Sequence, residues 1–143
     1  TVNIDWEEAA LEAEVDPSRL EQVFANLLEN ALRHGNADRV EIRVTGRCSG
    51  DHLEIAFSDN GPGIPVEDQP HIFERFYRVQ KDRSRTSGGG TGLGLSIVKH
   101  IVLAHRVNVT VESQPGTGAS FRVRIPFVHD GPNLSGTTTV VPK

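Results

Sequence analysis

Asn26, Asn30 and Arg33 are separated by four and three residues, the interval at which side chains share one stripe of a helix. Two amides and a guanidinium on such a stripe can look into one cavity. The Asn30 amide oxygen is a hard neutral donor of the kind that suits Mg²⁺, an ion that keeps waters and substrate phosphates in its shell. Arg33 can approach a polyphosphate at the same edge. A solvated helix face with ordinary amides would carry the same residues. Further along, Asp59-Asn60-Gly61-Pro62-Gly63-Ile64 follows directly on a strand-like alternation. A carboxylate at a strand end, backed by glycines that let the chain pass close to a ligand, can accept a hydrogen bond from an exocyclic amine such as that of adenine. A plain Asp-Asn-Gly turn has the same composition.

The most informative segment is Gly88-Gly89-Gly90-Thr91-Gly92-Leu93-Gly94-Leu95, which leads from a polar stretch into a helical pattern. Glycines expose backbone N–H groups and a helix N-terminus adds its positive dipole end, so together they cradle anions, polyphosphate above all. In isolation the segment also fits a glycine-rich hinge. It lacks the Gly-Lys-Ser/Thr ending of a P-loop, and the dinucleotide fingerprint begun by Gly90 and Gly92 meets Leu95 at its sixth position, with no βαβ unit around it. Phe73-Glu74-Arg75-Phe76-Tyr77-Arg78 sets three aromatic rings among charges. They can anchor a short helix while Arg75 and Arg78 face phosphate or a partner, and core packing accounts equally well for Phe73 and Phe76. His34 sits at the end of the first stripe. No histidine stands at metal-ligand spacing from a carboxylate or cysteine.

The elements that must position these groups are readable from periodicity. Asp16-Pro17 marks a helix start, and Leu20, Val23, Phe24, Leu27, Leu28 and Ala31 recur at helical spacing as far as Gly35, predicting a helix over 17–34. Val2 to Ile4 reads as a short edge strand. Val40, Ile42 and Val44, then Leu53, Ile55 and Phe57, alternate as a hairpin ending at Asp59, with turn residues from Gly46 to Asp51. Lys81 to Gly90 has no apolar period and reads as a mobile loop. A second helix is expected from about Thr91 to Ala104, with Leu95, Val98, Ile101 and Val102 inward. A second hairpin follows, with Val107, Val109 and Val111 on one strand, a turn over 115–118, and Phe121, Val123 and Ile125 on the other. This order implies an α+β fold, a two-layer α/β sandwich whose mixed, mostly antiparallel sheet carries its helices on one face. The other face is left to solvent or a partner. The domain is expected over 1–128 and a disordered tail over 129–143.

The 143 residues suit one domain, and a formal charge of −4 argues against broad binding to nucleic acid or an anionic membrane surface. The single cysteine, Cys48, cannot form an internal disulfide, so a reducing cytoplasm is the default. No apolar run approaches bilayer-spanning length.

In this order, the four segments resemble the N, first glycine, F and second glycine boxes of bacterial two-component sensor histidine kinases, in the GHKL ATPase superfamily that includes gyrase and the MutL repair proteins. The likeness spans residues 16–126 and implies the Bergerat ATP-binding fold, with ATP and Mg²⁺ as cofactors. It implies that Asn30 holds Mg²⁺, that Asn26, Arg33 and His34 line the phosphate and nucleotide pocket, and that Asp59 reads adenine with Gly61, Gly63 and Ile64 around it. Tyr77 and Arg78 would belong to the F box, with Arg78 steadying the transferring γ-phosphoryl; Gly90, Thr91, Gly92, Leu93, Gly94 and Leu95 would form the second glycine box under a lid over 79–91. Asn26, Arg33 and Arg78 are thus the catalytic candidates. Gyrase-like ATPases carry a glutamate general base where this chain has Asn26, and an amide cannot activate water, which favours phosphoryl transfer over fast hydrolysis.

The sequence departs from the family pattern in two places. His105-Arg106-Val107 stands where a His-Gly-Gly-like stop is usual, leaving the helix end and next strand register open. No His-Glu-x-x-x-Pro-like phosphoacceptor motif is present, so the implied partner is a histidine-bearing dimerisation domain outside this chain and, indirectly, a response regulator. The parent would be a homodimer compatible with inner-membrane anchoring, and the fragment a cytoplasmic monomer with no direct nucleic-acid partner. A nucleotide-sensing module without transfer and a serine kinase of the anti-sigma-factor type are the alternatives; the Phe73–Arg78 segment and long polar loop lean away from the second.

Overall fold

The structure is a computed structural model that describes residues 1–6, 13–36, 38–79 and 91–126. Asp16 starts the first long helix by accepting the backbone N–H groups of Ser18 at 2.9 Å and Arg19 at 3.3 Å, while Pro17 occupies the first turn, where its missing N–H costs nothing. This helix, α1, runs Pro17–His34 as the periodicity predicts, and buries Val23, Leu27 and Ala31. Gly35 closes it by donating to the Ala31 carbonyl at 2.9 Å. Its φ of −58° is open to any residue; glycine is needed because a Cβ there would meet Val40 Cγ1 at 2.7 Å.

Five strands, β1 (Val2–Trp6), β2 (Ile42–Ser49), β3 (His52–Asp59), β4 (Asn108–Gln114) and β5 (Gly118–Pro126), form one sheet in the order β1-β2-β3-β5-β4. β1 runs parallel to β2 and the other pairs are antiparallel. A second helix, α2, spans Gly94–Ala104. Strand alternation turns Ile55, Phe57, Val109, Phe121, Val123 and Ile125 toward Val23, Leu27, Val98, Ile101 and Val102 of the two helices, forming one core. The fold is thus the expected α+β sandwich. The opposite face is polar: Arg122 pairs with Glu54 at 3.2 Å and Glu112 at 2.7 Å, and Arg124 with Glu54 at 2.9 Å. A hydrogen bond from Arg124 holds the Glu54 carboxyl below its ordinary range against the opposing pull of burial, with the Arg122 charge adding to it.

Several boundaries differ from expectation. β2 continues through Gly46 to Ser49, so the hairpin turns on Gly50 and Asp51 alone. Gly46 lies within the strand because the Trp6 ring occupies the space a side chain would fill. Residues 66–76 form successive turns instead of a short helix around Phe73, and Phe76 is 70% exposed, so core packing does not explain it. α2 begins at Gly94 rather than Thr91, since Gly92 takes a left-handed φ of 71°. At the other end Arg106 adopts φ 55°, and Val107 N–H donates to the Val102 carbonyl at 2.9 Å. An arginine thus fills the left-handed position of a Schellman closure where glycine is usual, and the following register sets Val109 opposite Val123. The expected loop over 81–90 and tail over 129–143 lie outside the described residues. Among those described, no helix is long and apolar enough to cross a membrane.

A left-handed backbone strains an L-residue, so Arg106→Gly is expected to stabilise the domain by about 1 kcal/mol in urea denaturation. A destabilised variant would contradict the closure described. Glu54, with its folded pKa depressed, contributes stability that is present above the ordinary glutamate range and is lost as the pH falls through the lowered value. The native domain should therefore outlast Glu54→Gln at neutral pH, with the gap in unfolding midpoint closing on acidification.

Candidate functional site

One cavity of about 750 Å³ lies between α1, the loop after β3, the segment ending at Val79 and the start of α2, a size suited to a small organic ligand. Its floor is the end of β3. The Asp59 carboxylate accepts the Gly61 N–H at 2.8 Å and, more weakly, the Ala119 N–H at 3.4 Å. Burial pushes this carboxyl above its ordinary range, while those two backbone bonds and the nearby His34 pull it back. Three stretches of backbone crowd around it. A Cβ at Gly61 would collide with the His34 carbonyl at the end of α1, and one at Gly118, whose φ is 94°, with the carbonyl of Asp59 itself. The Gly116 N–H also donates to the Pro62 carbonyl at 2.7 Å. Glycine at 118 lets the β4–β5 turn, and glycine at 61 the end of α1, lie directly on the loop that carries Asp59.

Along α1 the stripe of Asn26, Asn30 and Arg33 lines the cavity, with His34 at its end. Asn26 Nδ2 donates back to the Gln22 carbonyl at 2.8 Å, and its Oδ1 lies beside Gly94, 3.2 Å from where a Cβ would stand. That oxygen is thereby aimed across the cavity at the start of α2. No hydrogen bond joins the Asn30 amide to another described residue. Arg33 pairs with Glu29 at 2.6 Å. Opposite, α2 opens at Leu93 with no side-chain cap, so its first N–H groups and dipole end face the cavity. Tyr77 and Arg78 complete the rim. The Tyr77 hydroxyl donates to Asp68 and its ring stacks on His71 with centroids 5.5 Å apart, while the Phe76 N–H reaches the Gly92 carbonyl at 2.9 Å.

Asn26, Asn30, Arg33, His34, Asp59, Gly63, Ile64, Tyr77, Arg78, Thr91, Gly92, Leu93, Gly94 and Leu95 therefore surround one space. Gly61 does not line it; it is buried behind Asp59. Gly90 lies outside the described residues. Sequence reasoning missed Glu29, whose one signal was its four-residue offset from Arg33. It also missed the apolar wall of Ile72, Ile97 and Ala119, which reads as ordinary core from the sequence. Ser113 and Gln69 went unremarked too. Ser113 Oγ accepts the Ile64 N–H at 2.8 Å and donates to Gly118 O at 2.7 Å, and Gln69 Nε2 donates to the Ile64 and Ser113 carbonyls, each at 3.0 Å. Both pin the loop, and no local pattern announces them.

Residues 15–129 match the family described as histidine kinase-, DNA gyrase B- and HSP90-like ATPase. The sensor-like histidine kinase SenX3 of Mycolicibacterium smegmatis is 44% identical over 115 residues, covering 80% of this chain and 29% of that protein. The sensor protein kinase WalK of Staphylococcus epidermidis is 42% identical over 122 residues, covering 83% of this chain and 20% of its own. The chain thus spans less than a third of these curated relatives. Among solved structures, the nucleotide-free catalytic domain of histidine kinase ThkA is similar with a TM-score of 0.72 and 28% identity, covering 87% of this chain and 77% of that one. Full-length ShkA in complex with AMPPNP gives 0.69 at 28% identity, covering 92% and 27%.

Asp59→Asn puts an N–H₂ donor in place of one of the two carboxylate oxygens at the cavity floor and, on the expectation that Asp59 reads adenine, should weaken adenine-nucleotide binding by about tenfold or more in calorimetry. The raised pKa means that ionised Asp59 costs stability at neutral pH and none once protonated, so the ligand-free variant should melt no lower than the native domain, with any advantage shrinking on acidification. Gly118→Ala should instead lower stability by about 2 kcal/mol or more, because the new Cβ meets backbone at a left-handed φ.

Proposed function

Because the chain belongs to the histidine kinase-, DNA gyrase B- and HSP90-like ATPase family, and is an ATPase catalytic domain of the sensor histidine kinase type, we propose that it binds ATP as the magnesium complex and passes the γ-phosphoryl to a histidine on a helical dimerisation domain of the same parent. In that step the bond from Pγ to the ADP oxygen breaks and a bond from Pγ to an imidazole nitrogen forms. The observation that carries the reading is the meeting, around one cavity, of a half-buried carboxylate, an amide stripe and an uncapped helix N-terminus.

Each group then has a task its chemistry suits. Asp59 accepts the exocyclic amine of adenine, and the apolar wall formed by Ile72, Ile97 and Ala119 takes the ring. The α2 N–H groups and the glycine backbone at 92 and 94 receive phosphate oxygens. Arg33 and Arg78 approach the polyphosphate from the rim. The Asn30 amide offers one neutral oxygen of the kind Mg²⁺ accepts while keeping waters and substrate phosphates in its shell. When bound, the ion would neutralise phosphate charge. Asn26 cannot deprotonate water, and Glu29 is engaged by Arg33, which supports transfer over rapid hydrolysis. Catalysis on this account is positioning and charge stabilisation, with the nucleophile brought by the partner. The same reading makes the parent a homodimer that hands the phosphoryl group to a response regulator from the cytoplasmic side.

Titration with AMP-PNP and Mg²⁺ should give saturable heat, and chelating the metal or substituting Asn30→Ala should weaken binding by about tenfold. Absence of heat at saturating metal would defeat the nucleotide reading. Labelled ATP supplied with a separate histidine-bearing dimerisation domain should leave acid-labile, base-stable label on that domain. Label that survives acid would point to a hydroxyl acceptor instead.

A further inference from the structure

Arg78 lines the cavity, yet no helix or strand carries it there. From Pro65 to Tyr77 the chain is a series of turns: the Asp68 N–H donates to the Pro65 carbonyl at 3.0 Å, His71 to Asp68 at 2.9 Å, and Glu74 to His71 at 2.8 Å. Ile72 is buried in the core, and Phe73 sits edge-on to Phe121 with centroids 6.2 Å apart. Beyond Phe73 the anchoring changes. Phe76 is turned out to solvent and its φ of 64° is left-handed, a conformation that an L-residue keeps only when its neighbours hold it. The neighbours that hold it include the Gly92 carbonyl, which takes the Phe76 N–H, and Tyr77, whose N–H donates to the Glu74 carbonyl at 3.3 Å, whose ring packs against the core and lies on His71, and whose hydroxyl reaches the Asp68 carboxylate.

We propose that Asp68 is a positioning residue for the triphosphate end of the site: by accepting the Tyr77 hydroxyl it keeps the strained Phe76 backbone in place and thereby holds Arg78 in the cavity wall, where it meets the terminal phosphate of ATP. Asp68 itself touches no ligand in this arrangement and acts through Tyr77. The inference rests on the nucleotide reading above and adds to it a residue that controls discrimination between ATP and ADP. Without the tether the left-handed turn relaxes and Arg78 leaves the wall, so the γ-phosphate loses a cation while the adenine and the α- and β-phosphates keep their partners. What the tether needs is an acceptor oxygen, and an amide oxygen supplies one as well as a carboxylate does.

The test compares AMP-PNP and ADP affinities, both with Mg²⁺, for the whole chain and its variants by calorimetry. Asp68→Ala should weaken AMP-PNP by about tenfold and ADP by no more than about twofold. Asp68→Asn should restore most of the difference. Tyr77→Phe should reproduce the Asp68→Ala ratio, and the double variant should be no worse than either single one, as expected when two residues act through one bond. Equal losses for both nucleotides would assign Asp68 a merely structural role and overturn the proposal, as would additive effects, failure of Asp68→Asn to restore the ratio, or no change at all. A native chain that binds both nucleotides equally would also overturn it. A native chain that binds neither would instead remove the nucleotide reading, and the inference with it.

Discussion

The structure depends on backbone lying directly against backbone beneath a carboxylate that is half withdrawn from water. Asp59 sits where three stretches distant in sequence meet: the end of α1 at His34, its own loop, and the β4–β5 turn at Gly118. Removing a carboxylate from water is unfavourable unless donors replace the lost hydration. Here two peptide N–H groups replace part of it, and the raised pKa shows that the replacement is incomplete. A carboxylate left short of donors is well suited to a ligand that brings one. The close approach that produces this environment requires glycine at 61 and 118, so the setting of the carboxylate and the packing constraint are two aspects of one arrangement.

The rest of the site divides into parts of different stiffness. α1 is capped at its start by Asp16 and locked into the core by Val23, Leu27 and Ala31, so its amides are held by a rigid rod. The Asn26 back-bond to Gln22 extends that order to the side chain. Across the cavity α2 offers an end without a side-chain cap, whose N–H groups remain available to an incoming anion. Between them the segment from Pro65 to Val79 is a run of turns closed by backbone bonds three residues apart, with no regular helix or strand. The α1 and α2 walls of the cavity thus rest on regular elements, whereas the place of Arg78 rests on turns and the contacts of Tyr77.

Much of this was legible in the sequence wherever a local rule acts alone. The Asp16-Pro17 start, the α1 stripe and the alternating strands obey spacing and capping preferences that need no tertiary context. The residues that line the cavity were legible because they cluster in short motifs. What stayed hidden depends on neighbours remote in sequence. Gly46 looks like a turn residue until Trp6 is seen lying on it. Phe76 looks like core until its left-handed backbone turns it outward. The stop at Arg106 is set by Val107 reaching back to Val102, in a residue type that local preference disfavours. Gly61 was read as part of a ligand-facing loop, yet it faces the carbonyl of His34. Ile72 and Ala119 could not be separated from the general core, since a pocket wall and a core side chain have the same apolar signature.

The strand order carries a consequence for biosynthesis. β5, the last strand among the described residues, lies between β3 and β4 rather than at a margin, with Val123 between Ile55 and Val109. A nascent polypeptide emerging from the ribosome can form α1 and the β2–β3 ribbon early, yet its sheet has a central gap until the final strand is released. Closing that gap joins positions far apart in sequence, which is slow and requires synthesis through β5. Maturation of the domain is thereby deferred until β5 itself is released, and a product stopped ahead of that strand would have its hydrophobic interior unsealed and open to proteolysis.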